Sequence, residues 1–207
     1  MYTEIPTSWL VAFCDMVHNP ARTRARLLAA AVQEFSEHGY AGARIERISR
    51  SAGVNRERLY SYFGNKQALL ERVLAERVAT ALDAAAVQGH GPTAAGAFAA
   101  SYFDACRGSA DLPRLVAWEG LELGHPVEVT DRRTSAALKV DELQVALPAL
   151  PRERVQDLLL TVVTLCHGWF TTPNVALIIV GGDAGDDSAH VRRREVIVAT
   201  ARALAGG

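Results

Sequence analysis

The sequence predicts an all-α protein with a three-helix N-terminal unit and a larger helical domain behind it. Apolar residues recur at steps of three and four along most of the chain, and glycines and prolines divide it into segments of helical length. In addition, no two alternating apolar runs are joined by a hairpin signal. Residues 175–180 alone resemble a strand, and without a partner strand they are better assigned to a helix.

Residues 1–20 precede the first periodic segment and are predicted to be a poorly ordered extension. They lack the basic start and the long apolar run of a secretory signal, and the alternative is a true start at Met16. No apolar run reaches the ~18 residues that span a bilayer. The cysteines have neither metal-ligand nor disulfide spacing, so we expect reduced thiols in a cytoplasmic protein with no membrane partner. These cysteines are Cys14, Cys106 and Cys166.

The first helix is predicted from Arg22 to His38, and Gly39 is expected to end it. It opens a basic segment: residues 16–66 contain nine Lys or Arg and four Glu, a net charge of +5, whereas the whole chain carries −1. A basic segment on an acidic body indicates a local site for a polyanion. Arg24 and its neighbours Arg22 and Arg26 either neutralise phosphates or form an ordinary charged surface.

Two short helices are predicted next, from Ile45 to Ser51 and from Arg56 to Phe63. Between them, Gly53 permits a left-handed backbone and Asn55 can cap the following helix. Two short helices joined by a turn of three or four residues that contains Gly form a helix-turn-helix. The second helix of such a unit enters the DNA major groove, so its exposed positions should contact bases or phosphates.

A long fourth helix, from Lys66 to about Ala86, leads into the C-terminal part of the chain. We therefore divide the protein into a helix-turn-helix domain at 21–67 and a domain for effector binding and dimerisation at 68–207. Residues 88–92 are predicted to be a linker between helices. The helices predicted after it are 93–107, 112–123, 128–147, 152–172 and 188–204.

Bulky residues in these C-terminal helices are candidates for a small-molecule site. Aromatic residues on helices are more often plain core, so we expect only a minority of them to contact a ligand. The candidates are Phe98, Tyr102, Phe103, Trp118, His167 and Phe170.

The last two helices are candidates for a subunit interface. The helix 152–172 is apolar nearly all round and needs cover on every side, which a second copy would supply as a four-helix bundle. Burial inside a single chain is the alternative. The interface candidates are Leu158, Val162, Leu165, Val196, Ala199 and Ala203.

No catalytic site is predicted, because the sequence contains no acid/base pair, nucleophile constellation or phosphate loop. No metal or cofactor is predicted either, and the acidic loop at 183–187 lacks the Glu that closes a calcium loop. An enzyme is thus disfavoured. The rival interpretation is a helical ligand-binding or protein-interaction adaptor that does not bind DNA.

A family resemblance runs from Arg24 to Leu69. The residues that carry it are Phe35, Gly39, Tyr40, Ile48, Ala52, Gly53, Val54, Asn55, Leu59, Tyr60, Ser61, Tyr62, Phe63, Lys66 and Leu69. Together they resemble the N-terminal signature of the tetracycline-repressor (TetR) family. The resemblance implies a homodimer that reads a palindromic duplex operator, usually as a repressor that an as yet unknown small molecule releases.

The resemblance also implies a set of DNA contacts. Two departures are notable: Arg44 stands where the family often has a capping Thr, and Glu57 stands where it often has a small residue. Glu57 either accepts a hydrogen bond from cytosine N4 or pairs with Arg58 or Arg47. The expected DNA-binding residues are Arg44, Asn55, Arg56, Arg58, Tyr60, Ser61, Tyr62 and Lys66.

In a dimer of this family, a ligand would act by shifting the fourth helix and so changing the spacing of the two recognition helices, which lie ~34 Å apart in the DNA-bound state.

Overall fold

The computed structural model describes residues 19–181 and 186–206, and these residues contain helices and no strand. The predicted all-α class is confirmed. The extension predicted at 1–20 and the acidic loop at 183–187 lie largely outside the described residues. The helices are α1 (Pro20–Gly42), α2 (Ile45–Ala52), α3 (Arg56–Phe63), α4 (Lys66–Ala84), α5 (Gly91–Gly108), α6 (Asp111–Trp118), α7 (Val129–Ala146), α8 (Arg152–Thr171), α9 (Pro173–Val180) and α10 (Asp187–Gly206).

The chain divides into two compact units between Leu70 and Glu71. In the first unit, α1 packs on α2, and α2 packs on α3. The core side chains of this unit are almost fully buried because all its helices turn their apolar faces inward. The largest of them are Leu27, Phe35, Ile48, Leu59 and Leu69.

Gly53 and Asn55 act as the sequence predicts, whereas the first helix continues past Gly39, where it was expected to end. Gly39 has a φ of 68° and interrupts the helical geometry of α1, although helical turns continue to Gly42. Gly53 is left-handed at φ 61° and ψ 40°, which redirects the chain between α2 and α3. The Asn55 side chain accepts a hydrogen bond of 2.9 Å from the Arg58 amide and so caps α3.

The second unit is built around α5, which packs on α10, α8 and α7. Its core contains the aromatic rings of Phe98 and Phe103 from α5, together with aliphatic side chains of α7, α8 and α10. This arrangement buries one stripe of every long helix in the unit. Cys106 and Cys166 are free thiols in the same core.

Two elements differ from a simple helical assignment. The helix predicted at 112–123 is α-helical only to Trp118 and continues as a π-helical turn over Glu119–Leu123. Residues 173–180 form the helix α9, which exposes apolar side chains such as Ile178 and Ile179, at 81 % and 77 % exposure. Among the described residues no single helix passes a length and composition test for a membrane span; only α8 and α9 together do so, across an 84° bend.

Candidate nucleic-acid interface and ligand cavity

Helix α3 presents one face to the core and one to solvent. Leu59 and Phe63 are buried, whereas Arg56 and Ser61 are exposed and Tyr60 is 40 % exposed. Arg58 is half-buried at the edge of the exposed face. Three of the side chains expected to contact DNA, Arg56, Tyr60 and Ser61, are therefore accessible on the outer face of α3.

An ion pair crosses from α2 to α3 beside this face. The Arg56 Nη1 atom lies 3.0 Å from Glu46 Oε1, and both side chains are about half exposed. The contacts that Arg56 makes with Tyr60 and Glu46 raise its pKa, so the guanidinium stays charged. Exposed pairs are weak, so breaking this one costs little free energy.

The start of α2 is held by a buried carboxylate from α1. Glu34 accepts hydrogen bonds of 2.8 Å from the Arg44 amide and 2.7 Å from Arg47 Nε. Burial opposes ionisation, but these hydrogen bonds outweigh it and hold the pKa of Glu34 below its ordinary value. Arg47 also donates to the Gly42 carbonyl, so one of the two arginines considered as partners for Glu57 is engaged elsewhere. The Arg44 side chain makes no cap hydrogen bond and is exposed, as a phosphate contact requires.

The remaining expected contacts lie at the C-terminal end of α3. Tyr62 is half-buried against Phe63, with ring centroids 6.2 Å apart, so it is less accessible than Tyr60. The Lys66 ammonium lies 4.7 Å from the centroid of the Tyr40 ring. This cation–π contact positions the charge at the end of the recognition helix without neutralising it.

A cleft of about 330 Å³ adjoins the turn between α2 and α3. Arg22, Arg26 and Arg58 line it together with Asn55. The Arg26 guanidinium comes so close to Gly53 that a Cβ there would lie 2.5 Å from Nη2. Sequence reasoning left open whether Arg22 and Arg26 belong to a phosphate site or to an ordinary charged surface, because only the folded turn brings them to Arg58.

The second unit contains a cavity of about 930 Å³ between α4, α5, α6, α7 and α8. Of the six candidates for ligand contact, Tyr102 and His167 line this cavity. Phe98 and Phe103 are core residues instead, at 0 % and 1 % exposure. Trp118 and Phe170 are half-buried outside the lining. Contact between a ligand and a minority of these candidates stays a prediction.

Tyr102 and His167 meet in the cavity wall through a hydrogen bond of 2.9 Å between the phenol oxygen and Nε2. Burial lowers the pKa of His167 to about 4. Burial also raises the pKa of Tyr102. Both groups are therefore neutral near pH 7, and the wall is polar here but uncharged.

The sequence did not predict the charged part of the cavity wall. Arg132 and Arg133 from α7 and Arg152 from α8 line the cavity. Helix α7 looks like an ordinary exposed helix in the sequence, and only its packing against α8 turns these arginines towards a cavity. Arg132 donates hydrogen bonds to the buried carboxylate of Glu119, at 2.6 Å, and to the Val127 carbonyl, at 2.9 Å.

Comparison with known families decides the identity. Residues 27–73 match the family described as bacterial regulatory proteins, tetR family, and residues 95–202 match the C-terminal domain described as tetracyclin repressor-like. The chain belongs to the TetR family. It is accordingly a DNA-binding transcriptional regulator, and the rival adaptor without DNA binding is not favoured.

Individual TetR-family relatives agree with this assignment. The HTH-type transcriptional repressor SCO4008 of Streptomyces coelicolor is 35 % identical over 82 % of this chain and 90 % of its own length. The HTH-type transcriptional repressor NicS of Pseudomonas putida is 49 % identical, but over 26 % of this chain and 25 % of its own. The solved structure of SCO4942 from Streptomyces coelicolor has a TM-score of 0.68 at 29 % identity, covering 88 % of this chain and 97 % of that one.

The residues proposed for a TetR-type subunit interface fall into two groups. Leu158 and Val162 are each 1 % exposed inside the core of their own chain, so a partner would not reach them. This corrects their assignment: the all-round apolar helix α8 finds its cover largely within one chain. The others remain accessible: Leu165 is half-buried, Val196 is 54 % exposed, and Ala199 and Ala203 are exposed.

Proposed function

We propose that this TetR-family chain is a homodimeric, cytoplasmic repressor that binds a palindromic operator and leaves it when a small molecule occupies the cavity. The observation that carries the proposal is the outer face of a capped helix inside a helix-turn-helix, with Arg56 and Ser61 exposed and Arg58 half-buried at its edge. Repression is supported by the similarity to SCO4008, a named repressor aligned over most of both chains.

Operator contact is assigned to two groups of residues. Arg56, Arg58 and Ser61 would meet base edges or the adjacent backbone, because the N-terminal residues of a recognition helix reach deepest into the major groove. The phosphate contacts would come from Arg44, Asn55, Tyr60, Tyr62 and Lys66, with the arginine cleft beside Gly53 as an additional anion site.

The dimer is supported by exposed apolar and small side chains on α10. Val196, Ala199 and Ala203 recur at steps of three and four and form one stripe, opposite the buried stripe that contains Ile197 and Ala201. Leu165 on α8 lies beside the core, next to helix α10, which packs on α8. A second copy would cover this stripe in a two-fold arrangement.

Ligand release would work through α4. This helix begins at Lys66 beside the recognition helix and supplies Val78 and Leu82 to the cavity wall. Arg77 of α4 is bonded to Asp111 at the start of α6, another cavity helix, with a 2.8 Å contact. A ligand that prefers a different position of α4 would shift the population away from the operator-competent state.

The test is operator binding by an Arg56→Ala/Arg58→Ala protein. An operator is first selected from random duplexes with the parent protein, and affinity is then measured by fluorescence anisotropy at several salt concentrations. We expect the double variant to bind at least ~100-fold more weakly, with a shallower dependence on salt because fewer phosphates are neutralised.

A matched control is Arg114→Ala/Arg154→Ala, which removes the same charge from exposed positions of the second unit. It should bind the operator like the parent. Equal retention of the operator by the Arg56/Arg58 variant and the parent would overturn the proposal.

A further inference from the structure

The cavity of the second unit follows one face of α8. Its lining residues Arg152, Gln156, Leu160, Thr164 and Thr171 recur at helical steps along this helix. From the first to the last of them the helix rises about 28 Å at 1.5 Å per residue. The cavity is therefore elongated, and at about 930 Å³ it lies at the upper end of the volumes of small-molecule sites.

Most of the remaining wall is aliphatic. Valine, leucine and alanine side chains from α4, α6, α7 and α8 supply it, so a bound molecule needs an apolar body to replace water favourably. Examples from the four helices are Val78, Leu82, Val116, Val140, Leu159 and Val163.

The charge in this wall has one sign. Arg132, Arg133 and Arg152 line the cavity, and its lining, all of it within the described residues, contains neither Asp nor Glu. The Tyr102–His167 pair adds polarity without charge. A cationic ligand would therefore meet arginines and no carboxylate.

The three arginines differ in whether a carboxylate of the protein already forms an ion pair with them. The buried carboxylate of Glu119 binds Arg132, and Asp141 binds Arg152 at 2.6 Å. Arg133 is exposed and lines the cavity, and it makes no ion pair with any residue that the structure describes. The unmatched positive charge is therefore at Arg133, beside Arg132 on the same helix.

The unmatched charge of Arg133 lies well away from the ion pair between Arg152 and Asp141. Because Arg152 is bound to Asp141, these two basic positions are separated along α7 by the rise from Arg133 to Asp141, about 12 Å. A ligand anchored at Arg133 thus has room to extend an apolar body along α8 past uncharged walls.

We propose that the effector is an amphipathic anion, with an elongated apolar body and one terminal carboxylate or phosphate that pairs with Arg133. The inference rests on the proposed function, since it names the ligand class of the same regulatory cavity. A neutral amphiphile would leave the Arg133 charge without a partner beside an apolar molecule, and an ammonium would add repulsion.

Three probes with one ten-carbon chain test the head group: decanoate, decan-1-ol and decylammonium, each used below its aggregation concentration. Calorimetric titration of the full chain should show decanoate binding at least ~10-fold more tightly than decan-1-ol, a difference of about 1.4 kcal/mol, with decylammonium weakest. The Arg133→Gln variant should lose this preference while keeping its affinity for decan-1-ol.

The matched control is Arg154→Gln, which removes a charge from an exposed position of α8 outside the cavity lining. It should retain the preference for decanoate. Equal or tighter binding of the alcohol or the ammonium overturns the inference, as does a preference that survives in Arg133→Gln, or failure of all three probes to bind.

Operator binding measured on the same samples separates this inference from the function on which it rests. If decanoate binds at Arg133 but does not weaken operator affinity, the result contradicts release by a ligand and still supports the anionic ligand class. If decan-1-ol releases the operator as effectively as decanoate does, the result supports release by a ligand and contradicts the anionic class.

Discussion

Tyr102 and His167 are both hydrogen-bonded and stacked: the phenol oxygen lies 2.9 Å from Nε2, and the ring centroids are 5.9 Å apart at an interplanar angle of 20°. One residue comes from α5 and the other from α8, so their contact joins two walls of the cavity. Because burial lowers the pKa of His167 to about 4, the imidazole is neutral in the folded protein over most of the working pH range.

The first prediction concerns acid stability. In the unfolded chain His167 has an ordinary pKa near 6.5, against about 4 in the folded state, so between these values only the unfolded state takes up the proton. The contribution of His167 is complete above pH 6.5 and declines towards pH 4 by about 1.4 kcal/mol per pH unit. Urea denaturation at pH 7, 6 and 5 should show this decline in the parent.

The variant His167→Gln should flatten the pH dependence, because glutamine cannot take up the proton. The control His125→Gln changes an exposed histidine and should keep the slope of the parent. A slope unchanged in His167→Gln would show that the imidazole is not the buried neutral group responsible.

The second prediction concerns the carboxylate that holds the start of α2. Replacing Glu34 by Gln weakens its bonds to Arg47 and to the Arg44 amide, and we expect the free energy of unfolding to fall by about 2 kcal/mol. Since the folded pKa of Glu34 is depressed, its contribution is present above the unfolded value of 4.5 and disappears as the pH falls through the folded value.

Thermal unfolding of Glu34→Gln at pH 7 measures this loss, with the exposed Glu37→Gln as the control for a lost surface carboxylate. The difference between Glu34→Gln and the parent should shrink below pH 4.5. An equal melting temperature at pH 7 would contradict the structural role given to Glu34.

The third prediction separates capping from DNA contact. Asn55 caps α3 through the Arg58 amide, and Asn65 caps α4 through the Ala68 amide at 2.8 Å. Each Asn→Ala change should therefore lower stability by about 1 kcal/mol. Operator affinity should fall further in Asn55→Ala, because Asn55 also lines the cleft of arginines at the proposed DNA face.

Anisotropy with the selected operator and denaturation of both variants give the two readouts. The variant Asn55→Ser retains a capping oxygen, so it should recover stability more fully than operator affinity. Equal operator affinity in Asn55→Ala and Asn65→Ala would remove Asn55 from the DNA contacts.

The helix-turn-helix was predictable because its signals are local. Gly53 and Asn55 determine the turn and the cap through their own backbone and side chain, and the exposed face of α3 follows from helical periodicity. Residues distant in sequence build the cavity. Nothing near Phe98 distinguishes a core ring from a cavity ring, and Arg133 looks like any solvated charge until α7 packs on α8.

The burial of the proposed interface residues was half predictable for a related reason. An apolar helix such as α8 needs cover, but periodicity does not say whether its own chain or a partner provides it, and Leu158 proved to be covered internally. On α10 the stripe of Val196, Ala199 and Ala203 stays exposed because Ile197 and Ala201 already face the core. These exposed positions are where the last prediction applies.

A charge placed in this stripe should prevent dimer formation. In Val196→Glu a carboxylate would be buried without a partner, and symmetry would place two of them in one interface, so the dimer dissociation constant should rise at least ~100-fold. The folded monomer should keep its helix content, because Val196 is 54 % exposed in the single chain. Sedimentation equilibrium over a concentration series measures the change.

The control Val145→Glu places the same charge on α7 at a position that is 77 % exposed and outside the proposed interface, so it should remain a dimer. Operator binding gives an independent readout. A monomer presents one recognition helix instead of two at a spacing of ~34 Å, so Val196→Glu should lose its preference for the palindrome over an isolated half-site. A Val196→Glu protein that stays dimeric and keeps that preference would place the subunit contact elsewhere on the second unit.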